Sequence, residues 1–301
     1  MFQSPFKKPT DTKLIVRIDP SSLKNLDCPV KFMRSNLLGY TTIKPSAATE
    51  FGQAVHQATA VMRRGATYLD ALDVAIDYIS KSKADFTNDY RTTDLLYDVL
   101  SEYLPYRDPK RDAFQPILRG GKPGVELSYE LPFLAFEHVD FTLCGVVDEI
   151  GMYQGSERFL DIKTTGLYPN KFSSKWRTSH QMLFYSYILK AAGVVDRYIS
   201  PVIDAIFLRG KKSERIKRMD DNIILAEHVD EYMEDVKRQC KLLNTYIEDN
   251  NFTLNRSACE TVFGDCQFRQ ICDSGIKLRE MQMSSFFRQR EYNPATFGVN
   301  E

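Results

Sequence analysis

The sequence of 301 residues lacks a net charge, because its 40 lysines and arginines are balanced by 40 aspartates and glutamates. A protein that binds polyanions through overall positive charge is therefore excluded, and any nucleic-acid site has to be a local patch. The chain also lacks repeats and low-complexity tracts. Its hydrophobic content of 43% and charged content of 27% are ordinary for a folded protein and exclude wholesale disorder.

Cysteine is scarce as well, and the six present are too few for a disulfide scaffold in a chain of this length. The N-terminal segment MFQSPFKKPT lacks the apolar stretch of a secretory signal, and no apolar run is long enough to span a membrane. We therefore expect a cytoplasmic protein, in which clustered cysteines indicate metal binding. The absence of Gly-x-Ser-x-Gly and the presence of only four histidines disfavour a hydrolase with a Ser or Cys nucleophile.

The hydrophobic period changes along the chain from helical to extended and back. An α/β (α+β) fold follows, with a central mixed sheet flanked by helices. The predicted helices span 21–34, 47–63, 67–82, 90–104, 179–192 and 228–249. The predicted strands span 125–136, 139–153, 158–163, 203–209 and 218–225.

Two carboxylates and a lysine stand out in the central strands. Asp161 and Lys163 are two residues apart and face the same side of a strand, and the preceding hairpin can bring Asp148 beside them. Such a group is costly unless it is solvated or binds a metal, and its oxygen donors suit Mg²⁺ or Mn²⁺. A bound ion could activate water for phosphodiester cleavage, with Lys163 beside it. The alternative is a surface salt bridge on a hairpin, which the apolar strand around Asp161 disfavours.

Four cysteines form a second candidate metal site. Cys259, Cys266 and Cys272 lie within fourteen residues of polar sequence, and Cys28 lies near the N-terminus. Four thiolates suit tetrahedral zinc or a [4Fe–4S] cluster, and spacing alone does not choose between them. Buried packing thiols are the alternative interpretation, which fits the other two cysteines better.

Two helices add further polar residues. His56 lies in the helical segment Gly52-Gln-Ala-Val-His56, where a lone histidine is more often a packing residue than a ligand. Gln181 and Tyr185 are four residues apart and share one helix face. The alternative for the latter pair is the polar edge of a half-buried helix.

Together these motifs resemble the PD-(D/E)XK nuclease superfamily, in particular RecB-type nucleases with C-terminal iron–sulfur cysteines, and most of all phage-encoded members. The resemblance rests on the Gly52–His56 segment, Gly145-Val-Val-Asp148, Asp161-Ile-Lys163, the Gln181–Tyr185 pair and Cys266-Gln-Phe-Arg-Gln-Ile-Cys272. One departure is that six residues separate Cys259 from Cys266, where the family pattern has two.

The resemblance implies a restriction-endonuclease-like core and assigns roles to individual residues. The metal ligands for one or two Mg²⁺ or Mn²⁺ ions would be His56, Asp148, Asp161 and the Ile162 carbonyl. The catalytic group would comprise Lys163, Asp161, Asp148 and Glu126, with Glu130 a competing candidate for the additional acid. Gln181 and Tyr185 would hold DNA. A [4Fe–4S] cluster on Cys28, Cys259, Cys266 and Cys272 would tie the C-terminal segment to the N-terminal helices.

The same resemblance implies a division of the chain. Residues 1–18 would be an N-terminal tail and 281–301 a C-terminal tail. Residues 19–280 would form one nuclease domain with a helical portion (19–124), a catalytic core (125–250) and an iron–sulfur segment (251–280).

A basic stretch, Arg209–Arg218, carries six basic residues and one acid. As a hairpin tip it would place Lys211, Lys212 and Arg215 against DNA phosphates, although a solvated loop is nearly as good an interpretation.

The functional hypothesis is a metal-dependent DNA exonuclease acting on linear or single-stranded ends in phage replication, recombination or repair, in the host cytoplasm. A recombinase or single-strand annealing protein would be its protein partner. The rival hypotheses are a structure-specific or single-strand endonuclease of the same fold, and a non-catalytic DNA-binding assembly module.

Overall fold

The computed structural model describes Phe6 and Phe172, Trp176, and residues 12–119, 121–168, 179–261 and 264–294. The α-helices within these ranges are α1 (Pro20–Asn25), α2 (Pro29–Phe32), α3 (Ala47–Arg63), α4 (Tyr68–Lys81), α5 (Thr93–Tyr106), α6 (His180–Ala191), α7 (Ala226–Glu248), α8 (Arg269–Asp273) and α9 (Ile276–Phe286). Met33–Leu37 forms a π-helix, and Lys212–Glu214 and Arg256–Cys259 form 3-10 turns. None of the helices in the described ranges combines the length and apolar character needed to cross a membrane.

The strands confirm the predicted mixed α/β fold with its central mixed sheet. They are β1 (Leu14–Ile18), β2 (Tyr40–Thr42), β3 (Gln115–Pro116), β4 (Leu118–Arg119), β5 (Lys122–Pro123), β6 (Val125–Ala135), β7 (Val139–Tyr153), β8 (Ser156–Thr165), β9 (Pro201–Phe207), β10 (Ile216–Met219), β11 (Glu260–Thr261), β12 (Gly264–Asp265) and β13 (Phe287–Gln289). The main path of the sheet has the order β1-β7-β8-β9-β10, with β3 and β6 also paired to β7.

The larger of two packing units, here the carboxylate-bearing unit, comprises Lys44–Ser128 and Val146–Val229. Within it, β8 pairs antiparallel with β7 and parallel with β9, and β9 pairs antiparallel with β10. All seven residues of β9 are buried, as expected for an interior strand with a parallel neighbour. Helices α3, α4 and α5 share one hydrophobic core with β8 and β9. This core fixes the strand that carries Asp161 and Lys163.

Local sequence signals explain where these three helices begin. Ser46 caps α3 by accepting a hydrogen bond from a backbone amide of the first turn, and Thr92 does the same for α5. Thr67 and Asp70 form a reciprocal capping box at the start of α4. The predicted helix over 47–63 is confirmed.

The smaller, cysteine-bearing unit comprises Met1–Ile43, Tyr129–Gly145 and Asp230–Ala295. Here β1 pairs in parallel with the first part of β7, and β13 pairs antiparallel with β2. A small core of this unit contains Phe268, Ile271, Cys272 and Phe287.

The structure corrects four details of the sequence prediction. Residues 14–18, expected to be tail, form a strand because Val16 and Ile18 alternate into the interior. Residues 276–289, part of which was expected to be tail, form a helix and a strand. Pro29 divides the helix predicted over 21–34, since Cys28 before it is extended. The strand predicted over 218–225 is β10, Ile216–Met219.

Candidate metal and catalytic site

Three potential metal ligands converge in the carboxylate-bearing unit. One ligand atom each from His56 on α3, Glu126 on β6 and Asp148 on β7 lie within 4.8 Å of one another. His56 Nδ1 is 3.4 Å from Asp148 Oδ1 and 3.8 Å from Glu126 Oε1. Residues far apart in sequence thus form one group of an imidazole and two carboxylates.

The backbone of Ile162 links this group to β8. Its carbonyl oxygen lies 3.1 Å from His56 Nε2, and its amide donates to Asp148 Oδ2 over 2.7 Å. A carbonyl can only accept, so in this contact the imidazole Nε2 carries the proton and Nδ1 faces the carboxylates. The carbonyl and the amide of Ile162 therefore both contact residues of the candidate site.

Asp161 and Lys163 occupy the same strand beside this group. Lys163 Nζ is 2.9 Å from Asp161 Oδ1 and 2.8 Å from Oδ2, which confirms that the two side chains share a face of β8. The side-chain amide of Gln181 on α6 donates to Asp161 Oδ1 over 3.0 Å and lies 3.3 Å from the Tyr185 hydroxyl. Within the described residues, Asp161 is not part of the three-ligand group, and its role as a metal ligand stays a prediction.

The charges of the site shift the pKa values of its members in opposite directions. Burial lowers the pKa of His56, but Asp148 and Glu126 outweigh it and hold that pKa well above its ordinary value. Burial raises the pKa of Asp148, yet His56, Lys163 and the Ile162 amide bring it below its usual value. The site therefore stabilises a positive charge between its carboxylates.

Burial is the main cause of the shift at the other two acids. It raises the pKa of Asp161 to about 6, against the opposing attraction of Lys163. Burial also raises the pKa of Glu126, with the hydrogen bond from His56 opposing it. An additional positive charge near either carboxyl group would lower its pKa and stabilise its ionised form.

The donor chemistry fits a divalent cation. The two carboxylates and the Ile162 carbonyl are oxygen ligands of the kind that suit Mg²⁺ and Mn²⁺, and the imidazole adds a nitrogen donor of the kind that suits transition metals. Asp148 and Glu126 raise the pKa of His56, so the electrostatics of this group favour positive charge at the same place.

A glycine allows helix α3 to approach the site. A Cβ atom at Gly52 would lie 3.2 Å from Thr164 Oγ1 on β8, closer than an ordinary van der Waals contact. Gly52 is one helical turn before His56, on the same side of α3, and Thr164 follows Lys163. The close approach lets His56 reach the backbone of Ile162.

Glu126 has a backbone conformation that is rare for its residue type. Its φ of 50° lies in the left-handed region, where a residue with a side chain costs about 1–3 kcal/mol. The competing acid, Glu130, belongs to the cysteine-bearing unit, where its carboxylate is 3.0 Å from Arg17 Nε. The structure thus brings Glu126, and not Glu130, to His56.

The basic stretch has a different placement from the one predicted. Arg215 is 9% exposed and lies 2.9 Å from Glu102, and Arg218 is bound to Asp204 and Asp112. Burial and these carboxylates remove both arginines from contact with a ligand in solvent. Lys211 and Lys212 are exposed, although Lys212 Nζ is 3.5 Å from Glu102.

Sequence reasoning missed a buried ionic network next to the site. Glu149, which follows Asp148, binds Arg63 and Arg107, and both arginines also contact Asp112. Arg107 is fully buried, and Arg218 with Asp204 extends the network. One signal was present: Arg63 lies two helical turns after His56, on the same face of α3.

The four cysteines of the second candidate site all belong to the cysteine-bearing unit. Burial raises the pKa of Cys259, and the neighbouring thiols of Cys266, Cys272 and Cys28 raise it further. The Cys266 amide donates to the Cys259 carbonyl over 2.8 Å, and Arg34 Nη1 is 3.1 Å from Cys272 Sγ. Four thiols suit a thiophilic metal centre by donor chemistry, but among the described residues no three of these sulfur atoms lie within 4.8 Å of one another.

Comparisons with known proteins point to one family. Residues 19–273 match the PD-(D/E)XK nuclease superfamily. None of the curated proteins matches the chain significantly. Among solved structures, the chain is similar to the crystal structure of SSO0001, with 16% identity over 62% of this chain and 74% of that chain and a TM-score of 0.28. A likeness of that size carries no argument about function.

Proposed function

Because the chain belongs to the PD-(D/E)XK nuclease superfamily, we propose that it is a divalent-metal-dependent deoxyribonuclease whose centre is His56, Glu126 and Asp148 beside Asp161 and Lys163. The observation that carries this proposal is the convergence of the first three side chains within 4.8 Å, next to the Asp161–Lys163 pair. A structural salt bridge would need neither the second carboxylate nor the histidine.

His56, Asp148, Glu126 and the Ile162 carbonyl would hold one or two Mg²⁺ or Mn²⁺ ions, with Asp161 as a further ligand. Such an ion supplies Lewis-acid chemistry, because it lowers the pKa of bound water and offsets charge on a phosphodiester. The Ile162 amide holds Asp148 by a hydrogen bond of 2.7 Å. The main chain thereby fixes the orientation of that carboxylate.

Lys163 would meet the negative charge that develops on the scissile phosphate. Its ammonium group is held by Asp161, whose other neighbour is the Gln181 amide at 3.0 Å. This arrangement positions a donor before substrate arrives, which is how preorganised charge lowers an activation barrier. Gln181 and Tyr185 would hold the DNA strand near the same point.

The finer assignments form part of the proposal. The enzyme would be a RecB-type exonuclease acting on linear or single-stranded DNA ends in the cytoplasm, in phage replication, recombination or repair. A recombinase or single-strand annealing protein would accompany it. The motif resemblance in the sequence supports these assignments.

The four cysteines would bind a [4Fe–4S] cluster with a structural role. The motif resemblance supports this assignment, together with the placement of all four cysteines in one packing unit. Because binding energy at such a centre adds to folding energy, the cluster would stabilise the unit that contains it.

The test compares linear duplex, linear single-stranded and covalently closed circular DNA, each with Mg²⁺, Mn²⁺ or excess EDTA. Digestion of linear DNA that requires the metal supports the proposed nuclease. Cutting of closed circles would contradict the exonuclease assignment and favour an endonuclease. If wild-type protein digests none of the substrates with either metal, the enzyme proposal is wrong.

A further inference from the structure

Two guanidinium groups lie over the ring of Tyr90 in the carboxylate-bearing unit. Arg91 Cζ is 4.5 Å and Arg209 Cζ is 4.3 Å from the ring centroid. Cation–π contacts of this kind hold a guanidinium in place without neutralising it. Tyr90 is itself partly buried against the hydrophobic core, so it is a firm support.

The two arginines differ in their remaining partners. Arg91 Nη1 is 3.0 Å from Asp89 Oδ1 and 2.9 Å from Oδ2, so its charge is balanced. Arg209 is exposed, and in the part of the chain that the structure describes it has no ion-pair partner. Its neighbours on the sequence-predicted basic stretch, Arg215 and Arg218, are both bound to carboxylates. Among the described residues, Arg209 therefore presents to solvent a guanidinium that contacts the Tyr90 ring and is not paired with a carboxylate.

The position of Arg209 relates it to Lys163. Arg209 follows the end of β9 and Gly166 follows the end of β8, and the Leu208 amide donates to the Thr165 carbonyl over 2.9 Å. A side chain at Gly166 would collide with the Tyr90 hydroxyl and lie 3.9 Å from Arg209 Nε. Three residues of strand, from Lys163 to Gly166, span about 10 Å. Arg209 thus lies about 10 Å from the proposed reaction centre, a distance that a few nucleotides of one DNA strand would span.

We propose that Arg209 binds a backbone phosphate of the DNA strand that passes Lys163, and that Tyr90 is the positioning residue that holds Arg209. The inference rests on the proposed function for the identity of the polymer. A guanidinium offers two parallel N–H donors to a phosphate, and stacking on Tyr90 reduces the entropy lost when it binds. The expected contribution is to substrate binding and not to the chemical step.

A strand of nucleic acid suits this edge better than a free anion. Tyr168, which also follows β8, is 58% exposed and presents an aromatic ring beyond the same strand end. Exposed aromatic rings beside basic residues are the usual platform for unpaired bases. A single inorganic anion would use the guanidinium but would gain nothing from that ring.

The experiment measures binding of a fluorescent single-stranded oligonucleotide by anisotropy, in EDTA, across a series of salt concentrations. The Arg209→Ala variant should bind several-fold more weakly, and the slope of log affinity against log salt should become shallower by about 0.7, the value for one phosphate contact. Arg111→Ala is the matched control, because Arg111 is an exposed arginine of the same unit. In cleavage assays Arg209→Ala should raise KM and leave kcat nearly unchanged.

Variants of Tyr90 test the support. Tyr90→Phe should keep wild-type affinity, whereas Tyr90→Leu should weaken binding in the same direction as Arg209→Ala. In the double variant Tyr90→Leu/Arg209→Ala the losses should not add, because Tyr90 acts through Arg209. Additive losses would overturn the positioning role of Tyr90.

Three results would overturn the proposal as a whole. These are equal affinity and salt slope for Arg209→Ala and Arg111→Ala, undetectable DNA binding by the wild type, and binding of inorganic phosphate that depends on Arg209 while DNA binding does not. The binding assay needs no cleavage, so it separates this inference from the proposed function. If the wild type cleaves no substrate, but Arg209→Ala binds DNA more weakly than the wild type and with a shallower salt dependence, the nuclease proposal is wrong and the phosphate contact is supported.

Discussion

Lys163 Nζ lies 2.8 Å from Asp161 Oδ2, and the two side chains leave the same face of one strand. Asp161 is almost fully buried, whereas the Lys163 side chain is partly exposed. The lysine therefore lies between a carboxylate held inside the protein and the solvent from which a substrate would come.

Replacing Lys163 by methionine should abolish most of the cleavage while preserving the fold. Methionine keeps the unbranched apolar stem and removes the charge, so the loss in kcat should be about 10²–10⁴-fold. Single-turnover cleavage with Mn²⁺ gives the rate, and oligonucleotide binding in Ca²⁺ shows whether the substrate site survives. A variant with wild-type kcat would show that Lys163 is no catalytic group.

Glu126→Gln should raise the Mn²⁺ concentration needed for half-maximal cleavage by about tenfold or more. The amide retains the size of the side chain but loses the charge that faces His56. Glu130→Gln is the control, because Glu130 pairs with Arg17 in the other unit. Metal titrations of the two variants should diverge, and equal shifts would remove Glu126 from the site.

Gly52→Ala should separate stability from activity. Alanine favours a helix over glycine by about 1 kcal/mol, but its Cβ would press on Thr164 Oγ1 and move His56 away from Ile162. We expect unfolding free energy within about 1 kcal/mol of the wild type and a fall in kcat/KM of about tenfold or more. Thr164→Ala in the same chain removes the contact atom and should restore activity. Failure of that rescue would argue against the close approach as the cause.

Arg107→Met should destabilise the protein by about 3–5 kcal/mol, because it leaves Glu149 and Asp112 buried with fewer partners. Lys81→Met, which breaks an exposed pair with Asp77, should cost no more than about 0.5 kcal/mol. Urea unfolding followed by circular dichroism compares the two. A loss at Arg107 as small as that at Lys81 would show that the network contributes little.

Anaerobically purified wild-type protein should contain iron and sulfide. Cys272→Ala should lose both and melt at a lower temperature, since metal binding adds to folding energy. Cys240→Ala should keep the iron, because Cys240 is a fully buried thiol on α7. Colourless protein with stoichiometric zinc would instead make the centre a zinc site.

The sequence was sufficient for those parts of the site that depend on local spacing. Asp161 and Lys163 share a face because strand period is two, and Gln181 and Tyr185 meet because helical neighbours are four apart. Their contacts follow the chain, so a pattern in the sequence could reveal them.

The buried network could not be predicted in the same way. Arg107 and Asp112 lie between Pro105 and Pro116, and Arg218 ends the basic stretch. The composition of both segments favours solvent exposure. Their burial depends on tertiary contacts with Glu149 and Asp204, which no local period records. The choice of Glu126 over Glu130 likewise needed the position of His56.

The side chain and the main chain of Ile162 have different structural roles. The side chain is 3% exposed and belongs to the hydrophobic core, while the carbonyl and amide face His56 and Asp148. Every amino acid except proline would supply the same backbone amide and carbonyl groups at this position. A saturation library would therefore score position 162 by volume and tolerate valine or leucine. Only a change in the backbone itself, such as an ester in place of the 161–162 amide, would remove the hydrogen bond from Ile162 to Asp148. No side-chain substitution tests that contribution.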